Sequence, residues 1–175
     1  MRSRNLALAC SALLFGFVSL ALPARAQKKD YLSDTEAEQI RDTDTPSQRI
    51  KLFISFASDR IKKLQYEFDH PGDSLHRADR VDAMINAYTG CIDDASDLID
   101  EGTDKQQNIR DAIKDMQSHG PDFLAFLKGL EAKGGEANDH KDNLDDAIDS
   151  TTDAIRTADD AAKELAPPPV RRNPQ

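Results

Sequence analysis

Residues 46–68 read PSQRIKLFISFASDRIKKLQYEF, and this stretch decides the fold class. Ile50, Phe53, Ala57, Ile61, Leu64 and Phe68 recur at steps of three and four, the repeat of one helix face. Ile54 widens the stripe, and Leu52, Phe56 and Tyr66 carry apolar surface onto neighbouring faces. A helix that is apolar on more than one face has more than one neighbour, so it belongs at the centre of a helical packing. Thr45 is placed to cap it, Pro46 takes the first helical position, and Gln48 stands where a second capping-box partner belongs. His70-Pro71-Gly72 ends it.

Working outward, Ser33-Asp34-Thr35-Glu36 is a capping-box pattern that opens a short helix to about Arg41, expected to lie across one end of the packing. After the central stretch, 74–101 reads as a helix with Val81, Ile85, Tyr88, Ile92, Ala95 and Ile99 as its stripe and Met84, Cys91 and Leu98 on its flank. Gly102-Thr103 is expected to stop that helix and cap the next. The next carries Ile109, Ile113 and Met116, meets Pro121 with an expected kink or break, and resumes through Phe123, Phe126, Leu127 and Leu130 to Gly134-Gly135. The last helix has an apolar line at Leu144, Ile148, Thr151, Ile155, Ala158, Ala162 and Leu165, with Ala147, Ala154 and Ala161 beside it. That spacing predicts a heptad seam with a small-residue edge, as in a coiled coil.

No stretch alternates at period two, so the expected class is all-α. Short turns between long helices predict an antiparallel four-helix bundle with a short extra N-terminal helix. A basic central helix (five basic and two acidic residues in 46–68) beside an acidic last one (three basic and ten acidic in 136–166) suits that packing.

The chain opens as a targeting segment. Arg2 and Arg4 precede an apolar run from Leu6 to Leu22, and Ala24-Arg25-Ala26 is an A-x-A cleavage pattern. The expected organisation is a leader over 1–26 cleaved between Ala26 and Gln27, a lead and short helix over 27–44, the helical domain over 45–166, and a disordered Pro-rich tail over 167–175. Export to the periplasm or the outside follows, with a soluble mature chain and no later stretch apolar enough to span a bilayer. Lipid attachment at Cys10 is the alternative, but Leu8 is out of place for the usual signal.

Cleavage would remove three Arg and no acids, leaving 20 basic and 32 acidic residues, a charge of −12. A field of that sign repels phosphate backbones and anionic lipid, so nucleic acid is not an expected partner. Cys91 would be the sole Cys beyond the leader, so no internal disulfide is expected; it reads as a small buried hydrophobe or as one half of an intermolecular disulfide.

The segments Tyr31-Leu32-Ser33-Asp34-Thr35-Glu36, Ile40-Arg41-Asp42, Pro46, Arg49-Ile50-Lys51-Leu52 and Phe56-Ala57 together resemble the opening of a group of uncharacterised exported bacterial proteins. The resemblance implies export and an all-helical structure. It brings no activity, cofactor, partner or catalytic residue.

Several chemistries lack their residues. Covalent haem needs C-x-x-C-H, and a di-iron bundle needs paired Glu-x-x-His on two helices; the chain holds neither set. Met84 and Met116 lie on apolar stripes, where Met is gap filler rather than a haem ligand. The acids Asp93, Asp94, Asp97, Asp100, Glu101 and Asp104 have helical spacing, not the alternate-position loop that calcium requires, so they read as a solvated face. No Gly-rich elbow or phosphate loop occurs. His70, His76 and His140 would gather at one end of an antiparallel bundle with Asp69, Asp73, Asp139 and Asp142 nearby, a candidate zinc or copper site. The competing reading makes them ordinary cap and turn residues.

The sequence is therefore read first as an exported, soluble, non-enzymatic helical bundle with a structural or protein-interaction role in the cell envelope, requiring no cofactor. Its expected mark is an exposed apolar patch on the Leu52, Phe56 and Tyr66 side of the central helix. A cation-binding bundle using the His/Asp-rich end is the second reading, and an enzyme of unrecognised type the third.

Overall fold

The computed structural model describes residues 31–72 and 75–165. The leader, the Ala26–Gln27 boundary, Cys10, Asp73, Ser74 and the Pro-rich tail lie outside the described residues. Every element is helical: α1 (Asp34–Arg41), α2 (Pro46–Asp69), α3 (Arg77–Asp104), α4 (Arg110–Lys133), a 3₁₀ segment (Gly135–His140) and α5 (Lys141–Glu164). Among the described residues no strand occurs, and no helix is long and apolar enough to cross a membrane.

Local chemistry explains most boundaries. Ser33 accepts from the Glu36 amide at 3.3 Å while the Glu36 carboxylate accepts from the Ser33 amide at 2.9 Å, a complete capping box. Thr45 accepts from the Gln48 amide at 3.3 Å, but the Gln48 side chain returns to the Thr45 hydroxyl instead of its backbone. Gly134 and Gly135 take φ of 61° and 62°, the left-handed region that lets the chain leave α4.

Two expected boundaries are corrected. Gly102-Thr103 does not end α3, which continues to Asp104. The Thr103 hydroxyl donates back to the Ile99 carbonyl at 2.8 Å, inside the helix. Gly102 is a seat: a Cβ there would stand 2.8 Å from Ile109, the buried residue that leads into α4. The turn falls at Gln106, with φ of 52°. Pro121 does not break α4 either. It is exposed, and Gly120 beside it is buried, where a Cβ would come within 2.7 Å of Ile155 on α5.

The helices pack together round one core. The α2 face Ile50, Phe53, Ala57, Ile61 and Leu64 is buried, as is the whole expected α3 stripe and Cys91. α2 packs on α3 and α4, and α5 packs on α3 and α4. Consecutive α3 and α4 meet across the centre, where Tyr88 and Phe123 cross edge to face at 5.8 Å. The pairs fix direction. Lys51 meets Asp115 near the start of α2 and α4, and Asp82 meets His140 near the start of α3 and α5. Arg110 at the start of α4 donates to the Leu165 carbonyl just past α5.

The seam of α5 is rotated from its expected line. Leu144, Ala147, Thr151, Ala154, Ala158, Ala161 and Leu165 are buried, Ile148 and Ile155 are half-buried, and Ala162 is exposed. The small residues form the core line because α5 is wedged between α3 and α4, and alanine lets both backbones approach. At its middle, Thr151 and Tyr88 share a hydrogen bond of 2.7 Å, and the Thr151 hydroxyl also lies 2.6 Å from the Ala147 carbonyl.

α1 lies along the α2–α3 flank rather than across an end. Arg60 makes a two-pronged ion pair with Glu36, 2.7 Å on its longer arm, and the Tyr31 ring covers Gly90 in the middle of α3. Leu32, Tyr31 and Ala37 add apolar cover. Phe56 is buried, at 6% exposure, with the Arg60 guanidinium over its ring.

Candidate functional site

The three candidate histidines are placed separately. His70 caps α2, is exposed, and stacks on Tyr66 with ring centroids 4.4 Å apart. His76 is exposed and lies 3.5 Å from Asp79. His140 is buried, with its side chain 1% exposed; its Nδ1 lies 2.8 Å from Asp82, and its ring meets Phe68 edge to face. Asn143 donates to the same Asp82 oxygen at 2.7 Å. Among the described residues, no three His, Cys, Asp or Glu side chains converge as a metal would require. One Glu-x-x-His spacing does exist, Glu67 to His70, but Glu67 faces Arg77 and Arg80 while His70 faces Tyr66. Met84 is half-buried and Met116 fully buried, each against core side chains. Cys91 is a buried thiol.

This end of the molecule is a fastened corner. Arg77 is buried at the start of α3, ion-pairs with Glu67 of α2 and Glu136 of the 3₁₀ segment, donates to the Glu67 carbonyl and lies over the Phe68 ring. One guanidinium thus holds three chain segments, which suits its planar set of donors. The sequence places these residues at the corner by topology; it does not show that Arg77 and His140 turn inward.

The outer face beside that corner is open. Lys62, Lys63, Tyr66 and Glu67 of α2 and Arg80, Ala83 and Met84 of α3 line a groove of about 530 Å³. Tyr66 is 64% exposed, and Leu75, on the turn at the same end, is 98% exposed; these are the exposed large hydrophobic residues among those described. The expected patch is thus corrected in part. Tyr66 is exposed, Leu52 is half-buried, and Phe56 is covered. Met84 and Ala83 take the place of Phe56, and they come from a helix that the patch expectation did not include. Sequence carried one signal for this, since Met84 stands off the α3 stripe on the side where Arg80 also falls.

The charge of this groove runs against the chain. Three cations and one carboxylate line it, in a protein of net charge −9. Glu67 lies 3.5 Å from Arg77 and 3.6 Å from Arg80, which draws its charge inward and leaves Lys62 and Lys63 at the rim.

On the opposite side of α3 is an acidic trough of about 750 Å³. Asp93, Asp97 and Asp100 of α3 face Asp146, Asp149 and Asp153 of α5. Burial first, then Asp104 and Asp97, pushes the Asp100 carboxyl above its ordinary value. Asp94 on the same helix is pushed up to about 6, by burial first and then by Asp97. By contrast, the Arg60 hydrogen bond holds Glu36 down at about 2. Burial raises the Tyr88 hydroxyl above its ordinary range, partly offset by its bond to Thr151.

No family model, curated protein or solved structure matches this chain. The class that fold and surface define is an all-helical protein whose buried polar groups tie helices together and whose α2–α3 face is open.

Proposed function

We propose that this is an exported, non-enzymatic helical bundle that acts by binding another protein through its α2–α3 face. One observation carries the reading: the exposed Tyr66 ring sits on an apolar groove with Ala83 and Met84, open at the surface of a folded domain. The polar groups best suited to chemistry are engaged elsewhere. His140 is with Asp82, Arg77 with Glu67 and Glu136, and Tyr88 with Thr151. The helix pairings support a four-helix arrangement whose chain direction alternates from α2 to α5 and whose α3–α4 turn crosses the diagonal. The charged start, apolar run and Ala24-Arg25-Ala26 pattern support export, as does the resemblance of the Tyr31–Ala57 region to exported bacterial proteins.

The test is photo-crosslinking in the cells that make the protein. Benzoylphenylalanine is placed singly at exposed Tyr66 on α2, Ser118 on α4 and Thr152 on α5. A discrete adduct with a second protein from position 66, and a bare chain from the other two, is the expected pattern. Bare chain from all three positions overturns the interaction reading.

A further inference from the structure

We infer that the α2–α3 groove takes an acidic amphipathic helix of a different protein, one that sets an apolar side chain between carboxylates. This deepens the interaction reading and rests on it. The apolar lining of the groove is Tyr66, Ala83 and Met84, three side chains that reward an apolar anchor. Lys62 and Lys63 stand on the α2 wall and Arg80 on the α3 wall. An anchor seated between those walls brings its flanking residues against Lys62 and Lys63 on one side and, on the other, against Arg80, whose charge Glu67 already shares at 3.6 Å.

Charge selects among occupants. The rim is basic although the chain as a whole is acidic, with 32 Asp and Glu against 23 Lys and Arg. A basic helix gains the apolar contact but meets like charge at the rim, a neutral one gains the apolar contact alone, and an acidic one gains both apolar contact and charge pairing. Lys63 is exposed and forms no ion pair among the described residues, and Lys62 has only exposed Asp59 at 3.5 Å. Neither is committed to the fold. A second copy docking through the same face is disfavoured by symmetry. A two-fold contact sets this patch against itself, so two net-positive rims would be brought together. The groove spans Lys62 to Glu67 on one wall and Arg80 to Met84 on the other, about 7.5 Å of α2 and about 6 Å of α3 at 1.5 Å per residue. That length seats one or two anchors, so the interaction is weak and steered by charge.

The test uses the purified full chain and two labelled helical peptides. Both share one leucine face; one carries Glu on its flanks and the other Lys. By fluorescence anisotropy at low salt, the Glu peptide is expected to bind at least about tenfold tighter than the Lys peptide. The preference inverts in the Lys62→Glu/Lys63→Glu variant and fades at high salt, because rim charges are screened. Tyr66→Ser weakens the Glu peptide about fivefold or more while the melting curve stays put, since Tyr66 is exposed. Equal binding of both peptides, or no saturable binding of the Glu peptide, overturns the proposed chemistry. So does a preference that charge reversal leaves intact.

The crosslinking arms separate this failure from failure of the broader reading. An adduct at position 66 with no charge preference overturns the acidic partner and leaves an interaction protein. Adducts from position 118 or 152 alone remove the partner from this groove. An adduct at position 66 with a second copy of the chain overturns the inference of a different protein.

Discussion

Replacing Glu36 by Gln should loosen the N-terminal segment, with an effect that depends on pH. Glu36 is 18% exposed and Arg60 8%, and the pair joins α1 to α2 across 24 residues of sequence. α1 has no fully buried residue of its own, so the Glu36 pair, Leu32, and the partly buried Tyr31, Ala37 and Ile40 carry its attachment. The Arg60 bond lowers the Glu36 carboxyl from 4.5 to about 2. Taken whole, that displacement is worth about 3 kcal/mol at 1.36 kcal/mol per tenfold. Residual exposure and the burial of Arg60, which opposes the pair, reduce this to about 1–2 kcal/mol. Because the folded-state value is depressed, the stabilisation is present above pH 4.5 and is lost as pH falls toward about 2. Hydrogen exchange resolved by peptide is the assay. At pH 7 the 31–43 segment of Glu36→Gln should exchange about 5- to 30-fold faster than the parent, with the centre of α3 unchanged. Near pH 2.5, after correction for intrinsic rates, most of that difference should be gone. A ratio between parent and variant that is flat from pH 7 to 2.5 would refute the electrostatic account. Slow exchange of 31–43 in the variant at pH 7 would refute the placement of α1.

Four further outcomes follow from the packing. Ile61→Asp should unfold the domain or destabilise it severely by burying an unpaired charge, as read by circular dichroism; a parental melting curve would remove α2 from the core. Gly120→Val should cost about 1–3 kcal/mol in urea unfolding, because a Cβ there meets Ile155 at 2.7 Å, and Ile155→Ala in the same chain should return part of it. Thr151→Val should cost about 1–3 kcal/mol by stranding the buried Tyr88 hydroxyl, and Tyr88→Phe less, since the Thr151 hydroxyl still has the Ala147 carbonyl; equal losses would deny the asymmetry. Asp94→Asn should raise the melting temperature at pH 7.5 and not at pH 3.5. Its carboxyl is raised to about 6, so the burden is full above pH 6 and gone below its ordinary 3.8.

What the sequence showed was what local periodicity can carry. The stripes of α2 and α3, the Ser33–Glu36 box and the Thr45 cap are written in neighbouring residues, and each appears in the structure. α5 was misjudged by one step because Leu and Ile outweigh Ala on any hydrophobic scale, while a helix wedged between two others buries its smallest side. Gly102 reads as a stop and Pro121 as a kink or break, yet Gly102 and Gly120 each fall a helical step beyond a stripe residue, Ile99 and Met116, and that position marks a seat for a neighbour. The long-range fasteners had no local signal. Arg60 sits three residues after Ala57 on the buried face, an odd place for a guanidinium until Glu36 arrives from another helix to pair with it. Arg77, His140 and Thr151 are the same kind of residue, polar groups spent on holding distant segments together. That use bears on function. His140 and Cys91 are drawn into the fold and His70 and His76 stay exposed, while beside that end of α2 lies a basic-rimmed apolar groove on an acidic protein. Arg60 and Arg77 are buried because each has carboxylates to pair with, whereas Tyr66 stays in water on the groove, the face that the proposed partner would cover.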